Sequence, residues 1–344
     1  MRILVTGGAG FIGSHVVNAY LASGHEVLVI DNLSSGRRKN LNRQARFYQE
    51  DIRSRAAREI LLRERPEVIN HHAAQMDVRR SVADPIFDAS LNILGLLNIL
   101  EGAREAGVKK VIFSSSGGAV YGEQDLFPAP EEHKTRPVSP YGVSKKAGED
   151  YLSYYNVAFG LPYIALRYAN VYGPRQDPHG EAGVVAIFTE RFLTGTQPAI
   201  NGDGKQTRDY VFVSDVARAN LLALEADHVG PINIGTGRET DVNTLFGLLK
   251  DLTTSSLPEK HHSAKPGEQQ RSVLNCERAA RVLGWRPQVE LKEGLGLTVE
   301  HFRDGLHQTQ SYISGERKEL SGRKGVGNWV HGVCAERNAP SAKR

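Results

Sequence analysis

The chain begins with an apolar run, RILVT, that passes directly into GGAGFIG at positions 7–13 and then into a segment with helical spacing of its apolar residues. Gly7, Gly10 and Gly13 recur at every third position, and Gly8, Gly10 and Gly13 satisfy the G-x-G-x-x-G spacing. A strand, a glycine turn and a helix in immediate succession leave few choices: the helix must cross back over the strand and feed a parallel neighbour. The glycines permit a tight turn and a close approach by another backbone or a ligand. The helix start offers free N–H groups and a partial positive charge, which suit a pyrophosphate.

The rest of the chain continues this grammar. Short apolar runs (EVLVI, EVINHHAA, KKVIFSS, PYIALR) alternate with amphipathic segments at 11–23, 54–65, 86–106 and 140–159. Strands that are apolar throughout, separated by helices, predict an α/β fold of the doubly wound, Rossmann type, with a parallel sheet covered on both faces. Beyond about residue 170 the pattern loosens into Gly/Pro-rich loops with helices near 184–194, 214–226 and 241–252, followed by GWRP at 284–287 and a helix over 291–305. The expected division is a nucleotide-binding domain over 1–170, rejoined by 209–236. A smaller α/β substrate lobe is expected from 171–208 and 237–310, and a weakly ordered basic tail over 311–344.

Composition narrows the function. With 344 residues, 40% of them hydrophobic, the chain can bury a sizeable core. The two cysteines, Cys276 and Cys334, lie far apart and in no C-x-x-C arrangement, which speaks against a disulfide framework or a zinc site and fits a cytoplasmic location. No signal-peptide layout and no apolar run of the ~20 residues a membrane span needs are expected. Of the 43 Lys/Arg and 39 Asp/Glu, 7 basic and 3 acidic residues fall in 311–344, so the body before it holds 36 of each sign. The net charge of +4 therefore belongs to the tail, and a nucleic-acid partner is not expected.

Asp31 closes the second strand, 18 residues after Gly13, where a carboxylate can accept hydrogen bonds from an adenosine ribose and repel a 2′-phosphate. That points to NAD, although Arg37 and Arg38 follow closely. Asp51, just after RFYQE, is placed either beside the adenine or at the N-cap of the helix that follows. In SPYGVSKKAGED, Ser139 can cap a helix that Pro140 starts, so Tyr141 and Lys145 fall four apart on one face. A neighbouring ammonium and an oxidised nicotinamide would favour the phenolate, making Tyr141 a base for a sugar or alcohol hydroxyl. VIFSSSGGAVYG, residues 111–122, ends a buried-type strand in three serines where sheet carboxyl ends carry ligands.

Together TGGAGFIG, DNLSSG, HHAAQMDVRRSV, NILGLLNIL, FSSSGGAVYG, SPYGVSKKAGE, LRYANVYGPRQDPHGEAGVVAIF, RDYVFVSDVARA and INIGTG resemble the extended short-chain dehydrogenase/reductases. Within them the resemblance is strongest to the UDP-glucose 4-epimerase group, over about residues 1–305. It implies NAD as cofactor, a UDP-sugar as substrate, a homodimer built on helices 86–106 and 140–159, and C4 epimerisation through a transient 4-keto sugar. Tyr141 would be the base, Lys145 the nicotinamide-ribose ligand, and Ser116, with Ser115 as fallback, the assisting hydroxyl. The cofactor site implied by the resemblance comprises Gly7, Gly10, Phe11, Ile12, Gly13, Asp31, Asn32, Asp51, Ile52, Ala73, Ala74, Gln75, Asn92, Ser114, Tyr141, Lys145 and Tyr168. The UDP-sugar would meet Ser116, Asn170, Val185, Arg208, Lys265, Glu268, Arg271 and Ser272.

Departures from the family pattern matter. KPGE replaces Arg-Pro-Gly-Asp, so Lys265 keeps the charge but loses bidentate phosphate contact, shifting weight onto Arg208 and Arg271. Ser272 stands where bulkier residues close the sugar pocket, leaving room for an N-acetyl group. Gly117 and Gly118 stand where nucleotide-sugar 4,6-dehydratases carry an acidic pair. UDP-glucuronate as substrate remains an alternative. A non-catalytic NAD-binding protein would be expected to lack the Tyr141/Lys145 pair. His71, His72, His261 and His262 have no metal-ligand spacing and are expected to make polar contacts only.

Overall fold

The computed structural model describes residues 1–179, 183–264 and 269–322. The proposed substrate ligands Lys265 and Glu268, and the end of the tail from 323, lie outside the described residues. The chain runs β1 (Arg2–Thr6), α1 (Phe11–Ala22), β2 (Glu26–Ile30), β3 (Arg46–Tyr48), α2 (Arg55–Glu64), β4 (Val68–His71), α3 (Val78–Ala83), α4 (Pro85–Ala89), α5 (Gly95–Ala106), β5 (Lys110–Ser116), α6 (Gly117–Val120), α7 (Pro140–Phe159) and β6 (Tyr163–Tyr168). It continues through β7 (Asn170–Tyr172), α8 (Val184–Leu193), β8 (Ile200–Asn201), β9 (Thr207–Arg208), β10 (Tyr210–Phe212), α9 (Val213–Ala223), β11 (Gly230–Ile234), β12 (Thr240–Asp241), α10 (Val242–Thr253), β13 (His261–His262), β14 (Arg271–Ser272), α11 (Glu277–Leu283) and α12 (Leu291–Gly322).

Seven strands form one parallel sheet in the order β11-β6-β5-β4-β1-β2-β3. Chain direction along the sheet reverses between β1 and β4, so the loops after their carboxyl ends, starting at Gly7 and His72, leave to opposite faces and open a crevice. This is the doubly wound fold that the sequence predicts. The late strand β11 pairs with β6, so residues 230–234 do return to the main sheet.

Each face of the sheet buries its own core. Val16, Val17 and Tyr20 of α1, Val216 of α9 and Trp285 pack on one side. Ile60 and Leu61 of α2, Ile99 and Leu100 of α5 and Leu152 of α7 pack on the other. Each such fully buried aliphatic side chain contributes about 1.5–3 kcal/mol relative to exposure. A third cluster, with Phe188 and Phe192 of α8 against Phe246 and Leu249 of α10, supports the short strands that follow β6.

Two expectations change. The helix expected over 86–106 is interrupted: a π-helical turn, Ser90–Leu94, separates α4 from α5. That extra residue per turn rotates Asn92 inward, where it is buried. The segment Pro85–Ala106 is also 22 residues long and contains an 18-residue window with a mean hydropathy of 1.3, long and apolar enough to cross a membrane by length and composition alone. Part of its apolar face is covered by packing, α5 lying on α2 and α4 on α7, while Ile86 and Leu94 stay exposed. The second change concerns the tail. The chain divides into Met1–Phe302 and Arg303–Arg344, and in the second unit helix persists to Gly322. The run QTQSYISGERKEL lacks proline and is rich in helix formers, a signal that the reading of 311 onward as irregular overlooked.

Candidate active site

The glycine loop is built by exclusion of side chains. Gly7 has φ +71°, a left-handed conformation, and a Cβ there would stand 2.7 Å from the Ala73 nitrogen. A Cβ on Gly13 would stand 2.3 Å from the Gly7 carbonyl oxygen. Helix α1 starts at Gly10 with no capping side chain and no acidic residue in its first turn. Its first N–H groups thus face the crevice without a protein side-chain partner, as a diphosphate requires. Phe11 and Ile12 lie in that first turn, half-buried.

Asp31 ends β2, at the position the sequence assigns to the adenosine end. Its carboxylate accepts from the Ala9 N–H at 3.0 Å and the Leu33 N–H at 2.8 Å, tying the glycine loop to the loop after β2. Burial pushes its pKa up, and the two backbone bonds oppose the rise. Both neighbouring arginines are engaged elsewhere: Arg37 bonds Asp177 at 2.8 Å, and Arg38 bonds Gln49 at 2.8 Å while lying over the Phe47 ring. This removes the objection to NAD that they raised. Asp51 does not cap a helix; Ser54 does, accepting from the Ala57 N–H at 3.0 Å. Asp51 instead accepts from Arg53 and from Asn32 Nδ2, and these hydrogen bonds, those from Arg53 foremost, hold its pKa down near about 2. Ile52 is buried beneath Gly95.

On the other wall of the crevice, Ala73 donates its N–H to Thr6 Oγ1 at 3.1 Å, and Ala74 follows it, half-buried. Asn92 binds the main chain of Gln75 twice, accepting from its N–H at 2.8 Å and donating to its carbonyl at 2.9 Å. Tyr168, at the end of β6, accepts from Asn220 Nδ2 at 2.8 Å and hydrogen bonds with Ser114. The residues that the sequence assigns to the cofactor are thus distributed over the loops and helix starts at the carboxyl ends of the main-sheet strands, beside this crevice.

The reacting groups stand at its end. Ser139 accepts from the Gly142 N–H at 3.1 Å and Pro140 occupies the first turn, so α7 starts as expected and carries Tyr141 and Lys145 on one side. Tyr141 hydrogen bonds with Ser116. Ser115 is turned away and donates to Glu149 at 2.6 Å beneath the sheet end, which leaves Ser116 as the hydroxyl on the reaction side. Lys145 donates to the Ser114 carbonyl at 2.8 Å, and its Nζ stands 5.8 Å from the Tyr141 ring centroid. In the protein alone, burial first and Asp88 second push the Tyr141 pKa above its ordinary value, opposed by Ser116. Burial brings Lys145 down to about 8, opposed by Asp88 and Glu149, so it stays largely charged at neutral pH.

Ser116 and Tyr141 open onto a cavity of about 1250 Å³, whose wall also includes Gly118, Asn170, Arg191 and Arg208. Val185 is not on this wall: it is 1% exposed in the α8 core, and its neighbours Val184 and Ile187 face the cavity. Arg271 bonds Glu239 through two nitrogens, at 3.0 and 2.6 Å, and lies over the Phe127 ring. Ser272 is buried, and its Oγ would be 3.9 Å from a Cβ on Gly118. A Cβ on Gly117 would stand 2.6 Å from Leu274 Cδ1, so a larger residue there requires the Leu274 side chain to shift.

Burial pushes His71 and His72 down to about 3; His71 bonds Thr6 Oγ1 and His72 bonds Tyr168. Both are neutral packing groups, and no cluster of metal-ligating side chains occurs among the described residues. Sequence reasoning missed Asp88 and Ser144, which meet beside the reacting pair. The signal was available: Asp88 is the one acidic residue in PIFDASLNILGLLNIL, four residues before Asn92.

The NAD dependent epimerase/dehydratase family matches residues 3–235. The chain is 47% identical over 310 residues to the UDP-glucose 4-epimerase of Mycolicibacterium smegmatis, covering 88% of this chain and 99% of that one. It is similar to the crystal structure of the Thermotoga maritima UDP-glucose 4-epimerase with UDP-glucose, with TM-score 0.87 and 53% identity over 89% of this chain and 100% of that one. The Thermus thermophilus UDP-glucose 4-epimerase in complex with NAD superposes with TM-score 0.84 at 47% identity, covering 88% and 99%.

Proposed function

The chain belongs to the NAD dependent epimerase/dehydratase family, and from that premise we propose that it epimerises UDP-hexoses at C4, interconverting UDP-glucose and UDP-galactose with NAD as a bound cofactor. The observation that carries this reading is the Ser116–Tyr141 hydrogen bond at the mouth of the cavity that Asn170 and Arg208 also line.

When bound, NAD would supply the hydride acceptor for C4 and the hydride donor for the reverse step. Tyr141 accepts the 4-hydroxyl proton as C4 is oxidised and gives it back on reduction. Ser116 shares that hydrogen bond and keeps the substrate oxygen within reach. Lys145, held by the Ser114 carbonyl, places a positive charge on the cofactor side of the tyrosine. Arg208 and Asn170 are assigned to the UDP moiety, with Lys265 and Glu268 as further ligands. The nucleotide anchors the substrate while the keto sugar turns. A cavity of about 1250 Å³ leaves space for that turn. We assign 171–208 and 237–302 to the substrate side and the main sheet to the cofactor side.

A second substrate reading has its own support. The small buried Ser272 beside Gly118 leaves the sugar end open to a UDP-N-acetylhexosamine. Gly117 and Gly118, which offer no acidic side chain, disfavour a dehydratase. A homodimer is also proposed: Ile86 and Leu94, with Val143, Tyr154 and Val157 of α7, are exposed apolar side chains that a second copy would cover. The deciding assay incubates purified protein with UDP-glucose, UDP-N-acetylglucosamine or UDP-glucuronate and separates the products chromatographically. UDP-galactose is expected from the first; a product from UDP-glucuronate alone would overturn the substrate assignment.

A further inference from the structure

Asp88 is fully buried at the end of α4, two residues before the π-helical segment. Its Oδ1 accepts from Gln75 Nε2 at 3.1 Å and from Asn92 Nδ2 at 3.0 Å; its Oδ2 accepts from Ser144 Oγ at 2.5 Å. One carboxylate thus joins three elements: the loop after β4 that walls the cofactor crevice, the π-helical turn, and α7 at the residue between Tyr141 and Lys145. None of its three donors is charged. A buried carboxylate held only by neutral donors is costly unless a cation lies near. The cation available is Lys145, one residue beyond Ser144, and Asp88 acts electrostatically on both Lys145 and Tyr141.

We propose that Asp88 is a positioning residue of the reaction: it fixes the spacing between the cofactor wall and the catalytic helix, and its charge faces the Tyr141–Lys145 pair. The inference rests on the epimerase reading. The crevice must hold a positively charged ring when the cofactor is oxidised and a neutral one when it is reduced. A fixed negative charge behind Lys145 offsets the cationic state, where Lys145 and the ring would otherwise repel. The other ionisable groups around the pair are few. Glu149 on α7 faces Lys145 and is itself bound by Arg167 and Ser115. His71 and His72 at the end of β4 also feel Lys145 and are neutral above about pH 3. Ser116 on β5 faces Tyr141. Asp88 is therefore the charge that Tyr141 and Lys145 share.

The test is a pH titration of the NAD-bound protein, in wild type and in Asp88→Asn. Phenolate absorbance of each, minus that of its Tyr141→Phe counterpart, isolates Tyr141. Removing the charge should move the Tyr141 titration to lower pH by about one unit. The acid limb of kcat should move with it, and the plateau should fall roughly tenfold. A Tyr141 titration and acid limb that stay at their wild-type positions would overturn the proposal, even with kcat reduced. Wild-type protein that epimerises no UDP-hexose would instead defeat the functional reading, while the titration, which needs no turnover, still decides on Asp88. Should Asp88→Asn fail to fold with NAD bound, Ser144→Ala decides. That variant keeps the charge, so kcat should fall by roughly threefold or more with KM and the acid limb unchanged; wild-type kcat there would overturn the positioning role.

Discussion

The two sides of the active site are built on opposite principles. On the cofactor side, glycines sit where no Cβ fits, both Asp31 oxygens are held by main-chain N–H groups, and Asn92 is locked to Gln75 by two hydrogen bonds. On the substrate side, strands of two residues, β8, β9 and β13, line a cavity of about 1250 Å³. A cofactor that leaves each cycle unchanged gains from a preformed, close-fitting crevice. A sugar that must present both faces to one tyrosine needs room. The contrast teaches that tight packing marks the ligand that stays, and open volume marks the one that turns.

The most damaging change to either side is at their junction. Tyr141→Phe should lower kcat by about 10²–10⁴-fold while NAD remains bound, because the acid–base group is lost and the crevice is untouched. Steady-state rates and cofactor content of the purified variant check both halves. Gly13→Ala attacks the cofactor side alone: its Cβ would press on the Gly7 carbonyl. Overpacking of about 1–3 kcal/mol should cut NAD affinity by roughly tenfold to a hundredfold, read as loss of NAD from the purified protein. Arg208→Ala attacks the substrate side alone and should raise KM for the UDP-sugar by about tenfold, with NAD content and kcat little changed. If Arg208→Ala also shed NAD, the two sides would not be separable as described.

Much of the cofactor side was legible because local backbone demands write themselves into residue type. A left-handed turn at Gly7, a helix start at Ser139-Pro140 and an acidic residue ending β2 each leave a short-range mark. The substrate side was legible mainly through resemblance, since Asn170 and Arg208 come together only in three dimensions. Val185 shows the limit: the resemblance implied a ligand, but the helical face that α8 packs inward buries it and leaves Val184 and Ile187 on the wall. The π-helical turn was invisible for a related reason. A helical apolar pattern cannot show one extra residue per turn, and that residue is what brings Asn92 and Asp88 to face Gln75.

A smaller effect separates structural from reactive histidines. His15 sits near about 4, and His71 and His72 near about 3, all lowered by burial. Each unfolded histidine binds a proton below about 6.5 that its folded form refuses. The stability this gives is complete above that pH and is lost as pH falls toward 4 and then 3. In His72→Leu, stability measured by denaturant titration near pH 5 should depend on pH less steeply, by about one proton. An unchanged slope would mean His72 is protonated in the fold.

The central claim, that C4 is oxidised and reduced on a cofactor the protein keeps, is tested most directly with UDP-glucose carrying deuterium at C4 and no added NAD. The label should appear at C4 of UDP-galactose without loss to water, because the hydride that leaves is the hydride that returns. Exchange of that deuterium with solvent, or a requirement for added NAD at every turnover, would contradict the account.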